Sequence, residues 1–219
     1  MSVFLAIDTT TGTSVAVVAG DRVVAEINVD DRMGHSENIG SALAEVLKRA
    51  DVRAIDLTAV VAGRGPAPFT GLRVGIAAAV MFAEGSGARL SGVVSLDAIA
   101  LLALSQGGAS EAQSLLVTTD ARRSEVYWAL YSGLNADGVP VRVEGPLVSK
   151  PAALDEILAA RNLKPQTTDL RITGAAVAEL ALALSASGSL DPDVSALYLR
   201  APDAVEPKAP GVFGKRVSS

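Results

Sequence analysis

Three segments hold residues whose types and spacing could do chemistry. The first is Ile7-Asp8-Thr9-Thr10-Thr11-Gly12-Thr13-Ser14. An Asp at the end of an apolar strand, followed by small hydroxyl residues and a tight hairpin, can face a nucleotide phosphate. The threonine hydroxyls and turn amides would donate, and Asp8 would hold a hydrated metal ion, with Thr10 beside it. Such turns usually place Gly soon after the Asp so that backbone can approach phosphate; here Thr9 and Thr10 stand there. The competing reading is an Asp/Thr hairpin that satisfies its own backbone. The second segment is the loop Gly63-Arg64-Gly65-Pro66-Ala67-Pro68-Phe69-Thr70-Gly71-Leu72-Arg73, with Thr70 placed to cap a following helix. A helix N-terminus attracts anions, and Arg64 and Arg73 add positive charge. Pro66 and Pro68 have no N–H to give, and no Walker signature is present, so a rigid positioning loop competes with an anion site. The third segment, around Asp120-Ala121-Arg122-Arg123-Ser124-Glu125, joins two predicted strands. It reads either as a second phosphate- or partner-facing turn at Asp120 and Arg122, or as a charged hairpin.

Composition narrows the chemistry. The 219 residues include no cysteine and one histidine, His35. This excludes disulfides, thiolate nucleophiles, Cys-ligated zinc and any site that needs two imidazoles. His35 stands outside any recognised catalytic motif and reads as a surface or capping residue. No catalytic and no metal-ligating residue is assigned. The formal charge of −5 disfavours an electrostatic nucleic-acid clamp, and neither half is a basic lobe. No apolar run is long enough to span a membrane, and no signal peptide is visible, so a cytoplasmic protein is expected.

These turns need strands and helices to position them. Val3–Ile7, Ser14–Ala19 and Arg22–Val29 read as strands, the last two parted by Gly20-Asp21. Ile39, Leu43, Val46, Leu47 and Ala50 recur at helical spacing behind Ser36 as cap. Thr58–Ala62 is a strand, Thr70–Glu84 a helix closed by Gly85-Ser86-Gly87, Leu90–Val94 a strand, and Ser95 caps a helix to about Ser105. After a Gly/Ala/Ser-rich stretch at 106–113, strands follow at Leu115–Thr119, Glu125–Ser132 and Val139–Val148. A helix from Pro151 to Arg161, a strand Leu170–Thr173 and a helix Ala175–Ser187 complete the pattern. The order β-β-β-α-β-α in both halves predicts an α/β protein of two ribonuclease-H-like lobes with mixed sheets, residues 1–105 and 106–201. An extended or disordered tail is expected over 202–219. Gly71, Gly75, Ala79 and Ala83 form a strip without bulk on the 70–84 helix. It reads either as tight packing on the chain's own sheet or as a seat for a partner helix.

Taken together, the segments resemble the bacterial TsaB (YeaZ) family of tRNA threonylcarbamoyladenosine biosynthesis. The matching pieces are Leu5-Ala-Ile-Asp-Thr-Thr10, His35-Ser-Glu37, Gly63-Arg-Gly-Pro66, Phe69-Thr-Gly-Leu-Arg73, Asp120-Ala-Arg122, Glu125-Val-Tyr-Trp-Ala129 and Leu197-Tyr-Leu-Arg200, in the family's order from residue 3 to about 200. Two departures stand out. Ala67-Pro68 replaces the usual Gly-Ser and removes an amide donor, and Ser124 replaces a Gly.

The resemblance implies the actin/Hsp70-like ATPase fold and a non-catalytic platform. That platform would pair with a homologous TsaD-like subunit and a TsaE-like ATPase, and meet tRNA through the complex. The TsaD-like relative carries metal through a His-x-x-x-His motif, which this sequence lacks. The reaction implied is transfer of threonylcarbamoyl from its adenylate to an adenosine beside the anticodon. No cofactor is expected on this chain alone; ATP or ADP could sit at the complex interface. The resemblance also implies that the first two helices, about 36–50 and 70–84, form half of a four-helix bundle. Ile39, Leu43, Gly71, Gly75 and Ala79 are the expected interface residues. On that expectation Gly75→Leu abolishes pairing and leaves the chain folded. Competing readings are a stand-alone ATPase or small-molecule kinase, a peptidase, which the single histidine disfavours, and a homodimer formed when the partner is absent.

Overall fold

The computed structural model describes residues 2–30, 35–107, 114–168 and 170–200. The expected limit between lobes at 105/106 abuts residues 108–113, and the expected tail at 202–219 follows residue 200. Both 108–113 and 201–219 lie outside the described residues.

Val3–Asp8 (β1) is apolar on both faces except at its end, and all six residues are buried. A strand of that kind belongs in the middle of a sheet covered on both sides. It occupies that place in a five-stranded sheet ordered β3-β2-β1-β4-β5, with β2 at Thr13–Ala19, β3 at Arg22–Val29, β4 at Ala59–Gly63 and β5 at Arg89–Val93. The β1–β2 and β2–β3 pairs are antiparallel, while β1–β4 and β4–β5 are parallel and need crossover helices. Those helices are α1 (His35–Ala50) and α2 (Phe69–Ser86); α3 (Ser95–Ser105) follows β5. The second sheet runs β8-β7-β6-β9, with β6 at Leu115–Asp120, β7 at Val126–Leu134, β8 at Pro140–Ser149 and β9 at Gln166–Thr168. Helix α4 (Pro151–Ala160) precedes β9, and α5 (Gly174–Ala186) follows it. The second half thus has the expected order β-β-β-α-β-α, whereas the first carries an additional β5-α3 pair beyond it.

Alternation along the strands sorts the core into layers. Leu5 and Ile7 join Leu43 and Val46 of α1 and Ala79 and Ala83 of α2 on one face of the first sheet. Phe4 and Ala6 point the other way, into a cluster that also contains Leu96 and Ile99 of α3, Val177 and Leu180 of α5, and Leu115 and Val117 of β6. Leu116 turns to the far face of the second sheet and meets Trp128, Leu130 and Leu154 of α4. The layers are therefore α1/α2, sheet, α3/α5, sheet, α4, and the two lobes share the α3/α5 core.

Polar contacts stitch that shared layer. Tyr131 of β7 donates its hydroxyl proton to Asp97 of α3 at 2.7 Å, and Arg142 of β8 donates to the same carboxylate at 2.9 and 3.2 Å. Glu26 and Asn28 of β3 accept from the Ala175 and Gly174 amides at 2.7 and 3.1 Å. A carboxylate and an amide oxygen from the first lobe thereby complete the N-terminus of α5, with Thr173 as its own cap.

Several boundaries differ from expectation. The ninth strand is Gln166–Thr168, not Leu170–Thr173, because edge pairing with β6 uses polar residues, whereas Ile172 goes to the core and Thr173 to the cap. Helix α2 begins at Phe69 behind Pro68, whose extended backbone (φ −59°, ψ 142°) makes it the cap position in place of Thr70. Helix α1 already includes His35 and Ser36. Val94, not Ser95, precedes α3, and the Ser95 hydroxyl is used elsewhere. Gly87, at φ 69°, closes α2 in the left-handed conformation that glycine adopts without cost.

Candidate functional site

The first turn points inward. Asp8 is fully buried at the end of β1. Its Oδ1 accepts from the Thr10 amide at 2.8 Å and the Thr10 hydroxyl at 2.6 Å, and its Oδ2 accepts from the Ser95 hydroxyl at 2.6 Å. Ser95 Oγ in turn accepts from the Gly65 amide at 3.1 Å. The carboxylate therefore pins the 63–68 loop and the start of α3 to the end of β1. Gly63 is required for this: a Cβ there would stand 1.8 Å from Asp8 Oδ2. A buried charge demands such a set of donors.

Arg64 does not face an open phosphate site. Its Nη1 donates to the Asp193 carbonyl at 2.9 Å, to the Asp193 carboxylate at 2.5 Å and to Asp191 at 3.5 Å. Asp193 and Asp191 belong to the segment that follows α5. That strap bonds Gly92 through the Asp191 carbonyl, donates from the Leu197 amide to the Arg64 carbonyl, and brings Tyr198 to α2. Arg73 Nε donates to the Tyr198 hydroxyl at 2.7 Å, with the guanidinium 5.6 Å from the ring centroid. Two residues on, Arg200 pairs with Glu125 and reaches the Ala121 carbonyl. The three steps from Leu197 to Arg200 span about 10 Å of backbone, so the strap ties the Arg64 loop to the Asp120–Glu125 turn.

In that turn Arg122, Arg123 and Ser124 have φ of 64°, 55° and 58°. Three successive non-glycine residues in the left-handed region cost about 1–2 kcal/mol each. The Arg122 amide bonds Asp120 Oδ1 at 2.8 Å, and Arg200 clamps the turn from outside. At Ser124 a glycine would adopt φ 58° without this cost. Asp120 and Ser124 also line an open crevice of about 980 Å3.

The structure corrects the expected partner face. Gly75 and Ala79 are buried inside the first lobe, and Ala79 has no exposed surface. The Gly75 amide donates to Thr9 Oγ1 at 3.0 Å, and Thr9 donates to the Gly71 carbonyl at 2.7 Å. The small-residue strip lets the Thr9 turn, not a partner helix, approach α2. Leu43 is 3% exposed in the same core, and Ile39 packs against it. The outward faces lie one step round each helix. On α2 they present Arg73, Ala77 and Met81, with Val74 half-buried; on α1, Gly40 and Ala44. Met81 is 74% exposed, unusual for a large apolar side chain, and Ile55 on the neighbouring 3-10 turn is 63% exposed. Periodicity alone could not choose between the two faces, because α2 is apolar around most of its circumference.

Comparison with known proteins agrees with the fold and the motifs. Residues 30–189 match the family described as TsaD: tRNA N6-adenosine threonylcarbamoyltransferase. The tRNA threonylcarbamoyladenosine biosynthesis protein TsaB of Escherichia coli is 35% identical over 153 residues, 69% of this chain and 64% of that protein. The chain belongs to the TsaB/YeaZ family. A Mycobacterium leprae relative, uncharacterized protein ML0378, is 42% identical over 71% of this chain, and the match spans only 41% of its length. YeaZ from Pseudomonas aeruginosa superposes with a TM-score of 0.75 at 26% identity, covering 91% of this chain and all of that one. The two-lobed architecture is thus the fold of YeaZ. Among the described residues no group of three or more metal-binding side chains occurs, and no helix is long and apolar enough to cross a membrane.

Proposed function

We propose that the chain is the non-catalytic platform subunit for N6-threonylcarbamoyladenosine formation on tRNA. In this reading it pairs with a homologous TsaD-like transferase subunit through the outward face of α1 and α2. The observation that carries the reading is Met81, exposed at 74% in a row with Ala77 on a helix whose opposite side already fills the core. Ala77, Ala44 and Gly40 keep the face low, so that a second pair of helices can approach closely and bury Met81. The single histidine is consistent with a subunit that leaves the metal chemistry to its partner. The TsaE-like ATPase, the indirect contact with tRNA, a cytoplasmic location and any nucleotide at the subunit interface are parts of the same proposal. The test is a reconstituted tRNA modification assay in which each subunit is omitted in turn. Modification should cease without this chain and return when it is added back. Full activity in its absence would reject the platform role.

A second reading, self-pairing in the absence of that partner, is favoured by charge. Arg73 and Glu84 are exposed near opposite ends of α2, so an antiparallel pair of α2 helices would set each Arg73 near the other copy's Glu84. Size measurement of the chain with and without the TsaD-like subunit separates the two assemblies.

A further inference from the structure

The strap that follows α5 is anchored but shallow. None of its ten residues, Asp191 to Arg200, is buried. Val194 and Leu199 pack only partly, against the cores on the two sides of the first sheet. The rest of its hold is polar: the Gly92 amide donates to the Asp191 carbonyl at 2.8 Å, Arg64 binds Asp193, and the Leu197 amide donates to the Arg64 carbonyl at 2.8 Å. A segment with so little buried apolar surface opens locally at far less cost than unfolding a lobe. Its closed position is nevertheless built into the sheet. A Cβ on Gly92 would stand 2.2 Å from the Asp193 carbonyl oxygen and 2.5 Å from Arg64 Cδ. Glycine at this place in β5 makes room for the strap.

The strap meets α2 at one end of the outward row. Arg73 begins the exposed row that runs through Ala77 to Met81, about 12 Å along the helix. Tyr198 is 39% exposed beside it, its hydroxyl accepting from Arg73 Nε and its ring 5.6 Å from the guanidinium carbon. A partner helix laid along the row from Met81 to Arg73 therefore reaches Tyr198 as well. Tyrosine and arginine are the residue types that carry much of the binding energy in protein interfaces. Opening the strap would withdraw the Tyr198 ring and end its hydrogen bond to Arg73, so docking would have to fix that long side chain without it. Resting on the partner face proposed above, we infer that the strap is a switch on docking. The homologous partner subunit binds α2 together with Tyr198 of the closed strap, so that closure and docking favour each other. Because Arg200 pairs with Glu125, docking on the first lobe also bears on the Asp120–Glu125 turn of the second.

The test measures binding of the TsaD-like subunit to the full-length chain and its variants, together with hydrogen exchange of the strap. Gly92→Ala pushes the strap away without altering α2 and should raise Kd about tenfold or more, because apparent affinity falls with the fraction of chains whose strap is closed. Tyr198→Ala, a surface change that leaves the Gly92 and Arg64 anchors in place, should also raise Kd, and Tyr198→Phe, which keeps the ring, should raise it less. Should Gly92→Ala lower the melting temperature of the whole chain, Tyr198→Ala decides alone. Coupling is reciprocal, so exchange of the Leu197 amide should slow on complex formation by the factor that Gly92→Ala costs in affinity. Parental affinity of the strap variants overturns the switch, and so does Leu197 exchange that is unchanged in the complex. Met81→Glu keeps the two failures apart. If it alone abolishes binding, the partner face stands and the switch falls; if it too binds like the parent, both fall.

Discussion

The amide of Gly75 donates to the hydroxyl of Thr9 at 3.0 Å, and a Cβ on Gly75 would stand 2.3 Å from that same oxygen. One contact thus joins the turn after β1 to the middle of α2, and it consumes the small-residue strip. Gly75→Ala should destabilise the chain by about 1–3 kcal/mol through overpacking, and Gly75→Leu should prevent folding. Urea denaturation of the isolated chain reads this without a partner. A Gly75→Leu chain with parental stability would contradict the contact.

Ser95 donates to Asp8 from the α3 end of the loop. Ser95→Ala leaves one oxygen of a buried carboxylate short of a hydrogen bond and the Gly65 amide without its acceptor. The expected loss is about 2–4 kcal/mol, since unmet buried groups cost about 1–3 kcal/mol and more when charged. Equilibrium unfolding checks it; a change under about 0.5 kcal/mol, the range of ordinary surface substitutions, would mean that Asp8 does not organise the loop.

Asp97 gives a pH test. Burial raises its carboxyl above the usual range, while Arg142 and Tyr131 pull it down less strongly. A raised folded-state value means that the contribution to stability is fully present below the unfolded-state value and is lost as pH rises through the folded one. Wild type should therefore lose stability relative to Asp97→Asn as pH climbs from about 4, near the unfolded value, to neutrality. Paired urea curves across that window decide it. A wild type that gains on the variant instead would show that the Arg142 ion pair outweighs burial.

The two-lobed order was legible because periodicity is strong where burial is one-sided or complete. Val3–Ile7 and Leu115–Val117 are apolar runs that only central strands would use, and Ile39-Leu43-Val46 marks the buried stripe of α1. Legibility failed where tertiary contacts override local signals. The polar strand Gln166–Thr168 exists only through its pairing with β6, and Ser95, placed like a helix cap, spends its hydroxyl on Asp8. The small-residue strip was open to two readings for a related reason. Small residues every four positions announce a close approach but do not name the neighbour, and here it is Thr9. The exposed row Arg73-Ala77-Met81 has the same spacing and becomes distinguishable only when burial is known. The strap from Asp191 to Arg200 has no periodic signal at all; its anchors Arg64, Arg73 and Glu125 are 75 or more positions away in sequence.

The central claim, that the outward face of α2 receives the partner, is tested most directly at Met81. This side chain is 74% exposed, so Met81→Glu should leave the isolated chain as stable as the parent, within about 0.5 kcal/mol. Buried in an interface, the same carboxylate would cost several kcal/mol and weaken binding by about a hundredfold or more. Affinity-tagged Met81→Glu, co-expressed with the TsaD-like subunit, is therefore predicted to purify alone while retaining its melting temperature. Recovery of the partner in parental yield would contradict the account.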